Sequence, residues 1–176
     1  MKCYKCNKSA AIELSYTNRN YCDNCFISLI EKRIRKNIRL SGIIKKGSTL
    51  AIIDKSTRNG KICEYFLNKI VGRMIKIVSR NPDITAYPFT SESIEEDFIT
   101  RLTKKDFTMS KEKNILFPLS VITAEELDIA AKILNMKGRK IKIDSIHQSF
   151  LEAIAKKYPE TKFALLKSID QLKRIL

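Results

Sequence analysis

A chain of 176 residues has the material for one principal core and a small appendage. With 44% hydrophobic and 30% charged residues, wholesale disorder is excluded, and no apolar run is long enough to cross a bilayer. A formal charge of +15 points to polyanionic partners, nucleic acid first. An anionic membrane surface is the rival, but no amphipathic, aromatic-rich terminal helix offers an anchor.

The chain opens Met1-Lys2-Cys3-Tyr4-Lys5-Cys6, without the hydrophobic stretch of a secretory signal, so the cytoplasm is the expected location. Thiols stay reduced there, and paired cysteines indicate metal rather than disulfide. Cys3 and Cys6 are separated by two residues, as are Cys22 and Cys25, with fifteen residues between the pairs. Each short gap lets a tight knuckle aim two sulfurs at one ion, and the excursion returns the second knuckle to complete a tetrahedron. The expectation is one structural zinc bound by Cys3, Cys6, Cys22 and Cys25, with an iron–sulfur cluster as the alternative for the same ligand type. Four thiolates and a divalent cation together subtract two charges, leaving +13. Residues 1–25 hold too little aliphatic material to fold alone, so the metal should supply their stability.

From Phe26 to about Leu40 the periodicity predicts a helix, with Phe26, Ile27, Ile30, Ile34 and Ile38 on one stripe. Lys32, Arg33, Arg35, Lys36 and Arg39 occupy much of the remaining circumference and are the candidate RNA contacts. The bland alternative is a solvated face that keeps the protein soluble. Gly42 suits the helix C-terminus. A short buried strand is expected over 49–53, a polar loop over 54–60, a helix over 61–71 ended by Gly72, and further extended pieces over 74–78 and 84–89. Ser91 to Leu102 reads as a helix whose Glu95, Glu96 and Asp97 are solvated. A strand over 114–119 leads to Thr123-Ala124-Glu125-Glu126, a capping-box start for a helix ending near Asn135. Glu125, Glu126 and Asp128 are likewise expected in solvent. Two more helices are expected over 144–157 and 167–175. Cys63 reads as a small core residue, and His147, the only histidine, as structural or exposed. Strands alternating with helices imply a mainly parallel sheet.

The order of these features resembles the tRNA 2-thiolation enzymes of the PP-loop ATP pyrophosphatase superfamily. The likeness rests on the cysteine ribbon, Cys25-Phe26, the basic helix and the strand Thr49-Leu50-Ala51-Ile52-Ile53. Phe117-Pro118-Leu119, Thr123 to Leu127, Phe150-Leu151-Glu152 and Lys157 to Phe163 add to it. The resemblance implies a zinc ribbon with a basic helix over 1–41 and a truncated, Rossmann-like α/β domain over 42–176. It also implies tRNA as partner. In that family the first strand runs into a Ser-Gly-Gly-x-Asp-Ser loop that cradles ATP phosphates at a helix N-terminus. Here the stretch is Asp54-Lys55-Ser56-Thr57-Arg58-Asn59-Gly60, without the glycine pair. Arg58, Asn59 and Gly60 offer at most a weak anion cradle. The family's mid-chain sulfur-transfer or cluster cysteines are missing, since only Cys63 remains, and no second ribbon follows. The resemblance therefore implies a degenerate, non-catalytic paralogue acting beside an active PP-loop homologue. A stand-alone RNA-binding or regulatory protein, a residual ATP-dependent tRNA sulfurtransferase and a DNA-binding zinc-ribbon factor are the alternatives.

Overall fold

The computed structural model describes residues 1–103 except Ser15, residues 114–140, and the isolated positions 153 and 168. The helices expected over 144–157 and 167–175, His147 and the family-like stretch 150–163 lie outside the described residues, apart from Ala153 and Ser168, both helical.

The N-terminal ribbon is built on a small antiparallel hairpin, β1 (Ile12–Leu14) and β2 (Arg19–Tyr21). Alternation places Ile12, Leu14 and Tyr21 inward and leaves Glu13 and Arg19 in solvent. Ahead of the hairpin, Lys2 bridges Ser9 across the first cysteine knuckle, where Asn7 takes the left-handed conformation at φ 59°. Asparagine tolerates that region better than most residues.

Helix α1 (Asp23–Ser41) follows at once, with Cys22 in extended backbone at its N-cap and Gly42 at φ 64° beyond its end. Phe26, Ile27, Ile30, Ile34 and Ile38 are its buried stripe, as the periodicity required. The chain then enters β3 (Thr49–Ile52), α2 (Arg58–Val71), β4 (Lys76–Ile77), β5 (Ile84–Ala86), α3 (Ser91–Thr103), β6 (Ile115–Leu116) and α4 (Ala124–Ile133). The four strands β4-β3-β5-β6 pair in that order, every pair parallel. Helix α2 starts earlier than the periodicity suggested, because Thr57 caps it and Arg58-Asn59-Gly60, loop-like by composition, forms its first turn.

The core is continuous from ribbon to sheet: Leu14, Tyr21, Phe26 and Ile34 belong to the same buried cluster as Leu50, Phe66, Ile84, Leu119 and Leu127. Cys63 is fully buried there, and burial pushes its thiol well above the ordinary range. Two expectations about charge are corrected. Glu95 and Glu96 on α3 and Glu126 on α4 are buried, not solvated. Glu126 has an interior partner, described below, that spacing along the chain does not disclose. Among the described residues no helix is long and apolar enough to cross a membrane.

Strand order reverses between β3 and β5. In open parallel sheets the crevice beyond the carboxyl ends of the strands at such a point is where ligands bind. The residues after β3 and the first turn of α2 border this crevice.

Candidate metal centre and the closed end of the second helix

Two local folds bring the cysteines together. In the first knuckle, Asn7 N–H donates to Cys3 O at 2.9 Å and Cys3 N–H to Lys8 O at 2.8 Å, closing the loop that carries Cys3 and Cys6. The second is the start of α1, where the Cys22 thiol caps no helical N–H and Phe26 N–H donates to Cys22 O at 2.9 Å. The clamp between them is Tyr4 N–H to Asn20 O, 2.8 Å. As a result the four Sγ atoms all lie within 4.8 Å of one another, and those of Cys6 and Cys22 are 3.6 Å apart. The spacing expected from sequence is met by geometry: this is a metal-competent four-cysteine centre.

Its electrostatics suit a cation. Burial acts against the Cys3 thiolate, but N–H donors of Cys22, Lys5 and Cys6 outweigh it and lower the thiol to about 6. Hydrogen bonding with Cys6, followed by burial and the other two sulfurs, pushes Cys25 up to about 12. Four sulfurs this close cannot all carry negative charge unless a metal neutralises them. The N-terminus of α1 adds its partial positive charge beside Cys22 and Cys25.

The basic residues expected to touch RNA divide into two groups. Lys32, Lys36 and Arg39 are exposed and make no ion pair among the described residues, and Arg35 is exposed while paired with Glu31 at 2.5 Å. Arg33 departs from the expectation. Its Nη1 donates to Glu126 Oε1 at 2.7 Å and its Nη2 to the Tyr16 hydroxyl at 2.6 Å, while Tyr16 donates to the same Glu126 oxygen. Burial opposes charge on Arg33, but Glu126 and Tyr16 outweigh it and raise its pKa. Burial and Glu126 together lift the Tyr16 phenol above its usual range. Glu126 also closes the capping box of α4, accepting from Thr123 N–H at 3.0 Å. This joint of ribbon, α1 and α4 was missed in the sequence, although a signal existed. Arg33 follows Phe26 by seven residues, two helical turns along the same side.

At the switch point much of the first turn of α2 is satisfied from within, while Arg58 Nε is buried without a hydrogen-bond partner among the described residues. Thr57 Oγ1 accepts from Gly60 N–H at 3.1 Å, and Arg58 N–H donates to Arg139 O at 3.1 Å. The Arg58 guanidinium pairs with Asp128, which also takes Lys140 at 2.7 Å. Asn59 donates its side-chain N–H to Pro88 O at 3.3 Å, and Lys61 reaches Lys137 O at 2.7 Å. Residues 137–140 thus lie across the helix end, so closely that a Cβ on Gly138 would sit 2.7 Å from Arg58 N. Gly60 serves the turn: a Cβ there would meet Asp54 O at 2.4 Å. Arg58, Asn59 and Gly60, the weak anion cradle of the sequence, each have a partner inside the chain.

Comparison with known proteins agrees with this layout. No curated protein matches the chain in sequence. The sequence profile of the family described as "2-thiouridine synthetase TtuA, N-terminal LIM domain" matches residues 2–27, the ribbon with both cysteine pairs. Among solved structures, the U34-tRNA thiolase NcsA from Methanococcus maripaludis, determined with its 4Fe-4S cluster, superposes with a TM-score of 0.82. That match covers 100% of this chain and 88% of the other at 16% identity, so it speaks to fold. Over its four-cysteine ribbon the chain is similar to the TtuA N-terminal family, and its parallel sheet with flanking helices matches a thiolase-like α/β fold.

Proposed function

We propose that the chain is a non-catalytic accessory subunit in 2-thiolation of the tRNA wobble uridine, binding tRNA and docking on an active PP-loop homologue in the cytoplasm. The tRNA half is supported by the ribbon profile and by the fold shared with a tRNA thiolase. The non-catalytic half is carried by one observation: the helix end where a PP-loop would receive ATP phosphates is covered by residues 137–140, with Arg139 O on Arg58 N–H. A carbonyl oxygen on that donor repels a phosphate oxygen, and Asp128 neutralises Arg58. Lys32, Lys36 and Arg39 are the phosphate contacts in this reading; phosphate contacts hold RNA in position without reading its sequence. Arg33 is released from that role by its pairing with Glu126.

The metal in this reading is one structural zinc. A tetrahedral ion with bonds of about 2.3 Å sets its sulfurs about 3.8 Å apart; sulfurs that all lie within 4.8 Å of one another, with Cys6 and Cys22 at 3.6 Å, support a site of that size. A cubane cluster attaches each cysteine to a different iron and spreads the sulfurs more widely. With all four positions taken by protein, the ion holds the ribbon and leaves no open site for substrate.

The deciding experiment is ATP-to-pyrophosphate exchange with saturating tRNA, run beside tRNA binding and metal analysis of anaerobically prepared protein. The expected result is tRNA binding, one zinc per chain and no exchange. Turnover would establish the residual ATP-dependent sulfurtransferase instead, and iron in place of zinc would overturn the structural-ion assignment. A Lys32/Lys36/Arg39→Glu variant should bind tRNA at least tenfold more weakly, with its salt slope reduced by about 2 to 3. Unchanged binding would remove this face of α1 as the contact.

A further inference from the structure

The first knuckle carries a feature that metal binding does not explain. Tyr4 lies between Cys3, fully buried, and Cys6, yet the residue is 61% exposed, whereas Tyr21 on the same ribbon is 5% exposed. An aromatic ring left in water forgoes about 1.5–3 kcal/mol of burial. This ring is nonetheless held in place. Its backbone N–H is tied to Asn20 O at 2.8 Å, and the Tyr21 ring meets it edge-on at 6.4 Å and 65°. The Arg19 guanidinium lies over it, 4.1 Å from the centroid. The result is an exposed, pre-ordered pair of flat groups, one aromatic and one cationic. Around it the ribbon is basic. Lys2, Lys5, Lys8 and Arg19 are all exposed and make no ion pair among the described residues, against Glu13 and Asp23 as the acids of residues 1–25.

We propose that Tyr4 and Arg19 form a stacking platform for an unpaired RNA base, with Lys2, Lys5 and Lys8 meeting the neighbouring phosphates. The proposal rests on the reading of tRNA as partner and adds where a splayed nucleotide is held. Single-stranded RNA is recognised by stacking bases on aromatic rings and arginine planes, at about 1–3 kcal/mol per base. A duplex hides its base faces and an acidic peptide has no flat π surface, so neither needs the ring. The ordering of Tyr4 by the metal knuckle lowers the entropy lost when a base lands on it. It also gives the structural ion a functional consequence: removing the metal removes the platform.

The test uses the full metal-loaded chain with tRNA. The sequence contains no tryptophan, so Tyr4→Trp installs a single tryptophan on the platform, which can be excited apart from the remaining tyrosines. Its emission should be quenched on tRNA binding and by a single-stranded oligoribonucleotide, but not by a blunt RNA duplex or polyglutamate. Tyr4→Ala should weaken tRNA binding about tenfold with the salt slope unchanged, because no charge is lost. Arg19→Glu should weaken binding and flatten the slope. Metal stoichiometry checks each variant; should Tyr4→Ala lose its ion, the Tyr4→Trp emission decides alone. If tRNA binds with full affinity while Tyr4→Trp emission stays unchanged, the platform is overturned and the tRNA reading stands. Quenching by polyglutamate as strong as by RNA overturns it equally. Absence of tRNA binding by the unaltered chain overturns the tRNA reading, and the platform falls with it.

Discussion

The ribbon and the sheet hold their shapes by different means. Within residues 1–21 the inward side chains are Cys3, Ile12, Leu14 and Tyr21, too few to fold without help. From Leu50 to Ala131 the interior is filled by Phe66, Ile62, Leu67, Ile84, Leu119, Ile122 and Leu127 around a parallel sheet. The ribbon adds a metal-competent four-cysteine centre to a hairpin whose few inward side chains join the buried cluster of the sheet. The difference extends to what each part presents. The ribbon aims four ligands at one point, whereas the first turn of α2 at the sheet's switch point is covered by residues 137–140.

Chelation should break this comparison most visibly. Structural zinc contributes on the order of 10–16 kcal/mol in small metal-dependent folds. A strong chelator, or Cys6→Ser, should therefore unfold residues 1–21 while the sheet persists. Heteronuclear NMR reads both regions at once, with ribbon amides collapsing and β3–β5 amides staying dispersed. Loss of both together would mean that the sheet depends on the ribbon. Acid should act in the same direction, since thiolates must be deprotonated to hold the ion and protonation releases it as the pH falls.

The next effect belongs to the sheet. Gly60→Ala should cost about 3 kcal/mol in urea unfolding, because its Cβ would collide with backbone that cannot swing aside. Metal content should be unaffected. A variant as stable as the parent would show that the Asp54–Gly60 turn is softer than its contacts imply. The asymmetry sharpens the contrast: Cys6→Ser should act first on the ribbon, Gly60→Ala first on the sheet.

How legible each part was follows from the kind of signal each leaves. Cysteine spacing is discrete, so the metal centre could be read before any coordinates. The buried stripe of α1 and the capping box at Thr123 and Glu126 are periodic and local, and they too were readable. The start of α2 was not, because Arg58-Asn59-Gly60 has loop composition and only the close approach at Gly60 and the Thr57 cap make it helical. Arg33 and Glu126 were misread as solvent-facing for a more general reason. They are 93 positions apart, and a charged residue discloses nothing about a distant partner until the fold brings it near.

That pair is where the two regions meet, which makes it the third test. Arg33→Ala leaves the Glu126 carboxylate buried beside Tyr16. Breaking a buried pair costs about 3–5 kcal/mol, but Arg33 is 25% exposed, so about 2 kcal/mol is expected here. A double-mutant cycle with Tyr16→Phe should show coupling of about 1 kcal/mol. Additive effects would mean that the three groups do not act as one joint, and ribbon and sheet would then be linked only through α1 packing.

The smallest effect expected is a pH dependence confined to the sheet. Asp83 ties the entry of β5 to β3: its Oδ2 accepts from both Thr49 N–H and Thr49 Oγ1 at 2.8 Å. The Thr49 backbone N–H, chiefly, holds its carboxyl below the usual range. A carboxylate with a depressed folded pKa binds fewer protons folded than unfolded in that interval. Its contribution is therefore complete above the unfolded value of about 3.9 and is lost as the pH falls through the folded value. Asp83→Asn removes this dependence, so the Tm gap between parent and variant should be present at neutral pH and shrink below about pH 4. Performing the titration in chelator keeps metal release out of the signal. A gap that stayed constant into acid would show that the carboxylate's hydrogen bonds, not its charge, hold the two strands together.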